Sequence, residues 1–164
     1  MKNPSLRTLC ATAAAVTITS SFIAAGQTNR RPTVPVQAAL KVGSSSYDVK
    51  APGTCTHAPK ASIYNILSEQ WMVRQEQDDR SVQLVFWKPA DGSAPMFSLS
   101  VNGKSNATVS TVRGGQKSGS GTVKFEPAAK GGTFTVDAKA KSGEAISGTL
   151  KCETFTRAIA EGGN

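Results

Sequence analysis

The chain has 164 residues, a formal net charge of +8 and only 38% hydrophobic residues, which leaves room for one domain and hardly for two. One histidine and 3 cysteines are too few ligands for most zinc sites. The same shortage confines any histidine-based catalytic centre to His57.

Residues 1–26 read as a signal peptide. Lys2 and Arg7 give a basic start, and no acid precedes Asp48. Leu9 to Ala25 is apolar or small, but short and rich in Ser and Thr for a membrane span. Ile23-Ala24-Ala25-Gly26 offers cleavage after Ala25 or after Gly26. A buried N-terminal helix or a membrane anchor is the alternative. Cys10 lies before either cleavage point, so it is not placed for lipid attachment at a mature N-terminus. Export to the periplasm or the medium is the expectation. Losing Lys2 and Arg7 from the 19 basic residues leaves a charge of +6 against 11 acids. Losing Cys10 leaves Cys55 and Cys152, and an even pair in an exported chain predicts a disulfide. Two buried thiols are the alternative.

Residues 27–46 read as a flexible linker. Arg30-Arg31-Pro32 and Pro35 discourage helix and central strand, and Ser44-Ser45-Ser46 continues the low-complexity entry. A folded domain is expected over 47–155, with a disordered tail over 156–164. Residues 60–79 are ambiguous. Ile63, Ile66, Leu67 and Trp71 share a helical face, while Tyr64, Ile66, Trp71 and Val73 suit two strands broken at Ser68-Glu69. Strand, turn, strand is the preferred reading, with one short helix near 62–72 as the alternative and Glu76 to Asp79 as an acidic turn. Val82, Leu84 and Phe86, with Val85 and Trp87 facing the other way, predict a strand buried on both sides at one end.

From there the apolar period is two. Phe97, Leu99 and Val101 alternate with serines, and the same rhythm recurs at Val123 and Phe125, at Phe134, Val136 and Ala138, and at Ile146, Gly148, Leu150 and Cys152. Cys152 thus falls on the apolar face of its strand. Glycine-bearing turns separate the runs, and Asn102-Gly103 and Ser142-Gly143 are the expected two-residue hairpins. The short, regular spacing fits a sandwich or a barrel. An all-β, antiparallel β-sandwich, immunoglobulin-like or similar, with one disulfide is the expected fold.

Residues that carry chemistry are scarce. His57 sits two positions from Cys55 in a Pro-rich stretch and reads as a loop histidine. No Gly-x-Ser-x-Gly elbow is present. Glu76, Asp78 and Asp79 lack the loop pattern of a calcium site and read as a solvated turn. Arg113-Gly114-Gly115 and Gly119-x-Gly121 lead into a strand, so they are hairpin glycines and not phosphate loops. No enzyme activity, cofactor or metal is expected; a carbohydrate-binding or small-ligand-binding module is the alternative to a surface-binding role, and a small hydrolase centred on His57 is a further one. Trp71 and Trp87 either plug the core or stack on a ligand. Trp87, Tyr64, Lys88 and Trp71 are therefore the candidate ligand-binding residues. The lysines are dispersed, which argues against specific nucleic-acid binding. Lys124, Lys139 and Lys151 do fall on outward strand positions. The candidate partners are an anionic envelope polymer, a polysaccharide or another envelope protein, and no transmembrane segment is expected after signal removal.

The run from Cys55 to Cys152 resembles the secreted domains of the mycobacterial 19-kDa lipoprotein antigen family. The likeness lies in Cys55-Thr56, Gly119-Ser120-Gly121, Gly132-Thr133-Phe134-Thr135-Val136 and a closing strand ending in Cys152. It implies a small β-sandwich tied by a disulfide between early and late strands, and a surface or envelope role without catalysis. The lipid-attachment cysteine of that family has no counterpart here. The stretches Ser62-Ile63-Tyr64 through Trp71 and Phe86-Trp87-Lys88-Pro89 also look like uncharacterised exported bacterial domains.

Overall fold

A computed structural model describes residues 32–160. The signal-peptide reading of residues 1–26 lies outside them. The described chain is all-β and forms one sheet. Its strands are β1 (Val34–Val42), β2 (Ser45–Ile63), β3 (Ile66–Gln77), β4 (Arg80–Pro89) and β5 (Met96–Asn102). They continue as β6 (Ala107–Ser110), β7 (Ser120–Pro127), β8 (Gly132–Lys139), β9 (Ala145–Cys152) and the two-residue β10 (Thr156–Arg157).

The sheet order is β6-β5-β4-β3-β2-β1-β9-β8-β7, with β10 beside β2. Every neighbour along that path is antiparallel. The strands therefore run as a meander whose first member, β1, pairs with both β2 and β9. The free edges, β6 and β7, approach through one antiparallel bridge, Ser110 to Ser118. The result is a sheet nearly closed into a barrel, and the expected two-sheet sandwich does not form. Alternating strands with one buried face serve a sandwich and a barrel equally well, so alternation alone does not separate them.

The interior is packed in register rows. Cys55, Val73, Leu84, Leu99 and Val109 sit opposite one another across five strands, and Trp71, Phe86 and Phe97 form the row beside them. Phe134, Val136, Ile146 and Leu150 fill the side lined by β8 and β9. A second, smaller cluster lies on the outer wall, where Trp87 and Met96 are covered by Val112. Phe86 and Trp87 are consecutive and both buried, so β4 is covered on two faces at that end, as its apolar pattern predicts.

Four local expectations are corrected. Val36, Ala38, Leu40 and Val42 alternate inward and make 34–42 a central strand, not a linker. The prolines masked that period: Pro35 stands opposite Pro52 at the strand's entry and leaves the rest of the ladder intact. The tail is likewise not disordered at its start, because Thr156 and Arg157 pair in parallel with Thr56 and His57. The two-residue hairpins fall at Gly43-Ser44, Tyr64-Asn65 and Asp78-Asp79, while Asn102-Gly103 and Ser142-Gly143 sit in longer loops. Residues 62–72 contain no helix, and Ser68-Glu69 lie within β3 rather than at a break.

The Tyr64-Asn65 turn requires left-handed backbone at both positions, with φ of 47° and 63°. That is costly for a tyrosine. The ring compensates by lying on Gly114 and Gly115, where an added Cβ would come within 2.9 Å of it at either position.

Cys55 and Cys152 form a disulfide with Cα atoms 6.2 Å apart, as the even cysteine count predicts. Both are buried. Cys152 pairs with Val36 near the start of β1, and Cys55 lies just beyond β1's last partner on β2, Gly53. The bond therefore staples β2 to β9 where the strand between them runs out.

Candidate functional site

The end of the barrel at which β1 starts is open, and its rim is uneven. β2 and β3 have 19 and 12 residues, against 4 in β6. The β2–β3 hairpin and the end of β4 thus project as a lip. A bulge between Ala58 and Ala61 shifts the register of β2 and leaves Pro59 and Lys60 both exposed at the rim.

The floor of this mouth is aromatic. His57 stands opposite Trp71, and their rings stack at 4.5 Å with 8° between planes. Trp71 lies 4.9 Å from Phe125, which stacks on Phe134 at 4.6 Å. Phe155 meets Phe125 and Phe134 edge-on at 6.0 and 6.1 Å. Phe134 is fully buried, while Phe125 and Phe155 are half-buried and form the solvent side of the stack.

The chain after Cys152 carries Phe155 to this place. The Phe155 amide donates to the Lys130 carbonyl at 2.8 Å, and the Thr156 hydroxyl donates to the Cys55 carbonyl at 3.1 Å. The Ala158 amide donates to the His57 carbonyl at 2.9 Å. Gly131 permits the close pass of the β7–β8 turn, since a Cβ there would sit 2.0 Å from the Cys152 carbonyl oxygen. Residues 153–158 thus form a strap across the rim, with Phe155 and Arg157 turned to the mouth.

Two neighbouring hollows result. One, of about 490 Å³, is bounded by His57, Pro59, Trp71, Phe125, the 127–131 turn, Phe155 and Arg157. The other, of about 730 Å³, is bounded by Pro59, Lys60, Ala61, Leu67, Ser68, Glu69, Lys88, Pro89, Ala90 and Gly92. They share Pro59, and the contact between His57 Nε2 and Glu69 Oε2, 3.3 Å, joins them. Sizes in this range suit small-molecule ligands.

The charges around the rim are unequal. Lys60, Lys88, Lys130 and Arg157 are exposed there and form no ion pair among the described residues. Glu69, which borders the larger hollow, is engaged by His57, and no acid borders the smaller one. No hydroxyl bonds to His57 among the described residues, and the nearby Ser68 hydroxyl donates to the Ile66 carbonyl at 3.2 Å. The arrangement offers apolar surface and positive charge, without an assembled nucleophile and base.

The sequence-derived candidates do not converge on one site. Trp71 belongs to the mouth and Lys88 borders its larger hollow. Trp87 points to the outer wall and is buried in the satellite cluster, out of reach of a ligand in the mouth. Tyr64 clamps the hairpin tip. Phe125, Lys130, Phe155 and Arg157 are the residues that sequence reasoning missed. Their signal is the alternation Phe155-x-Arg157 directly after Cys152, which reads as a continued strand once Cys152 is known to be tied down. Lys124, Lys139 and Lys151 are exposed, as expected, but acids interleave with them. Glu126 shares the row of Lys151 through Thr133, and Asp137 flanks Lys139 two positions away.

No protein-family model matches this chain, and no curated protein or solved structure does so either. The molecule is thus defined by its own geometry: a disulfide-stapled antiparallel β-barrel-like domain with an open, aromatic mouth.

Proposed function

We propose that this is an exported, non-enzymatic binding module of the bacterial envelope or medium, and that it holds a small ligand with an apolar body in the barrel mouth. The observation that carries this reading is the aromatic floor of the smaller hollow, where Phe125 and Phe155 are only half-buried and back onto the buried Trp71. A closed barrel end would bury such rings completely. Leaving them half-covered costs hydrophobic stabilisation that a bound apolar group restores. The signal-like N-terminus and the resemblance to secreted antigen domains support the export half of the proposal. The disulfide does so too, since such bonds persist in oxidising compartments.

Tryptophan fluorescence tests the binding half, because the two tryptophans sit in different places. Octanol and octanoate, which do not absorb with tryptophan, serve as probes beside a panel of soluble polysaccharides. A saturable shift with the C8 probes is expected. It should vanish in Trp71→Phe and survive in Trp87→Phe. A shift lost with Trp87 instead would move the site to the outer wall and reject the proposal.

A further inference from the structure

We infer that the preferred ligand is an organic anion, its apolar body on the aromatic floor and its carboxylate held by Lys130 and Arg157 at the smaller hollow. This rests on the mouth-binding reading and names the ligand class for it. Three observations carry it. Lys130 and Arg157 border the same hollow as Trp71, Phe125 and Phe155, so charge and apolar surface face one space. Neither cation has an ion-pair partner among the described residues, and no Asp or Glu borders that hollow. The backbone fixes both positions: β10 pairs Arg157 with His57, and the Lys130 carbonyl accepts from the Phe155 amide.

A guanidinium beside an ammonium suits a carboxylate, which takes paired hydrogen bonds from arginine in a fixed plane. The larger hollow is less suited to the head group. Lys60 and Lys88 border it, but so does Glu69, directly opposite Lys88 across the β3–β4 ladder. That lobe carries Pro59, Ala61, Leu67, Pro89 and Ala90 and takes the far end of a longer apolar body.

Calorimetric titration of the mature chain with octanoate and with octanol separates this inference from the reading beneath it. Octanoate should bind about tenfold more tightly at low salt, the margin of one good charge-assisted contact. The margin should shrink as salt is raised. Arg157→Gln should bring octanoate within about threefold of octanol, a loss of roughly half the logarithmic margin, while octanol binding stays as in the parent. Arg157 is exposed, so the substitution leaves the core untouched. Lys139→Gln, on the outer wall away from both hollows, should change neither probe. Equal affinity for both probes in the parent chain overturns the anion preference and leaves the mouth reading standing. A loss produced by Lys88→Gln and not by Arg157→Gln overturns the placement of the head group. Binding of neither probe overturns both readings together.

Discussion

At the residue scale, the interior contains one polar contact that the alternation of apolar residues does not announce. Gln75 is fully buried and accepts a hydrogen bond from the Tyr47 hydroxyl at 2.5 Å, while its own Nε2 has no protein partner. Burial pushes the Tyr47 hydroxyl above its ordinary value of 10.0; Arg80, 5.8 Å from the ring, opposes that, and Glu76 adds to it. A raised value means that the folded chain holds this proton more firmly than the unfolded chain. The contribution is fully present below the ordinary value and is lost as pH rises through the folded one. Tyr47→Phe should therefore lower stability by about 1 kcal/mol at neutral pH, the usual worth of such a bond. It should also flatten the fall in stability above pH 10.0. Urea unfolding of the two proteins across alkaline pH checks both effects. Parallel curves for the two would show that Tyr47 does not carry the alkaline dependence. Gln75 itself was illegible in the sequence, since a glutamine at an inward position reads as a misplaced polar residue until the facing tyrosine is known.

At the element scale, β1 and the strap after Cys152 explain each other. β1 begins at Val34, so the upper part of β2 has no β1 partner beyond Gly53. The disulfide closes that gap from inside, and β10 covers part of the same edge from the tail. In the chain-entropy description, a bond spanning 97 residues stabilises by about 4 to 5 kcal/mol. Cys55→Ser with Cys152→Ser should lower the urea midpoint by a corresponding amount. The parent chain should show the same drop when reductant is present during unfolding. An unchanged midpoint in the double variant would contradict the stapling role. β5, β7, β8 and β9 were readable from period-two runs with one wet face, and β4 from a run that turns apolar on both faces at its end. β1 was obscured by Pro32 and Pro35, and β10 by its length of two residues. The tight turns were misread for a different reason. Asn-Gly and Ser-Gly are good turn formers anywhere, whereas Tyr64-Asn65 turns only because Gly114 and Gly115 receive the tyrosine ring. A contact 50 positions away in sequence is not a local signal.

At the scale of the whole molecule, the fold sorts its charge and its apolar surface separately. On the outer wall of β7 to β9 basic and acidic side chains alternate, which keeps that surface soluble and gives little purchase to a polyanion. At the mouth the cations are not balanced, and the surface beneath them is aromatic. Of the cations that form no ion pair among the described residues, Lys60, Lys88, Lys130 and Arg157 border the hollows, while others, Lys124, Lys139 and Lys151 among them, are dispersed over the wall. The class of fold was legible as all-β with a disulfide. The mouth was not, because its parts come from residues 57–71, 125–131 and 155–157, and no window of sequence brings them together.

The most direct measurement is an amide NMR spectrum of the isotope-labelled protein titrated with octanoate. The account predicts saturable shifts grouped at His57, Trp71, Phe125, Lys130, Phe155 and Arg157, with the amides of β6 and of the outer wall around Val85 and Trp87 unmoved. Shifts centred on Val85, Trp87 and Met96, or no saturable shift at any amide, would contradict it.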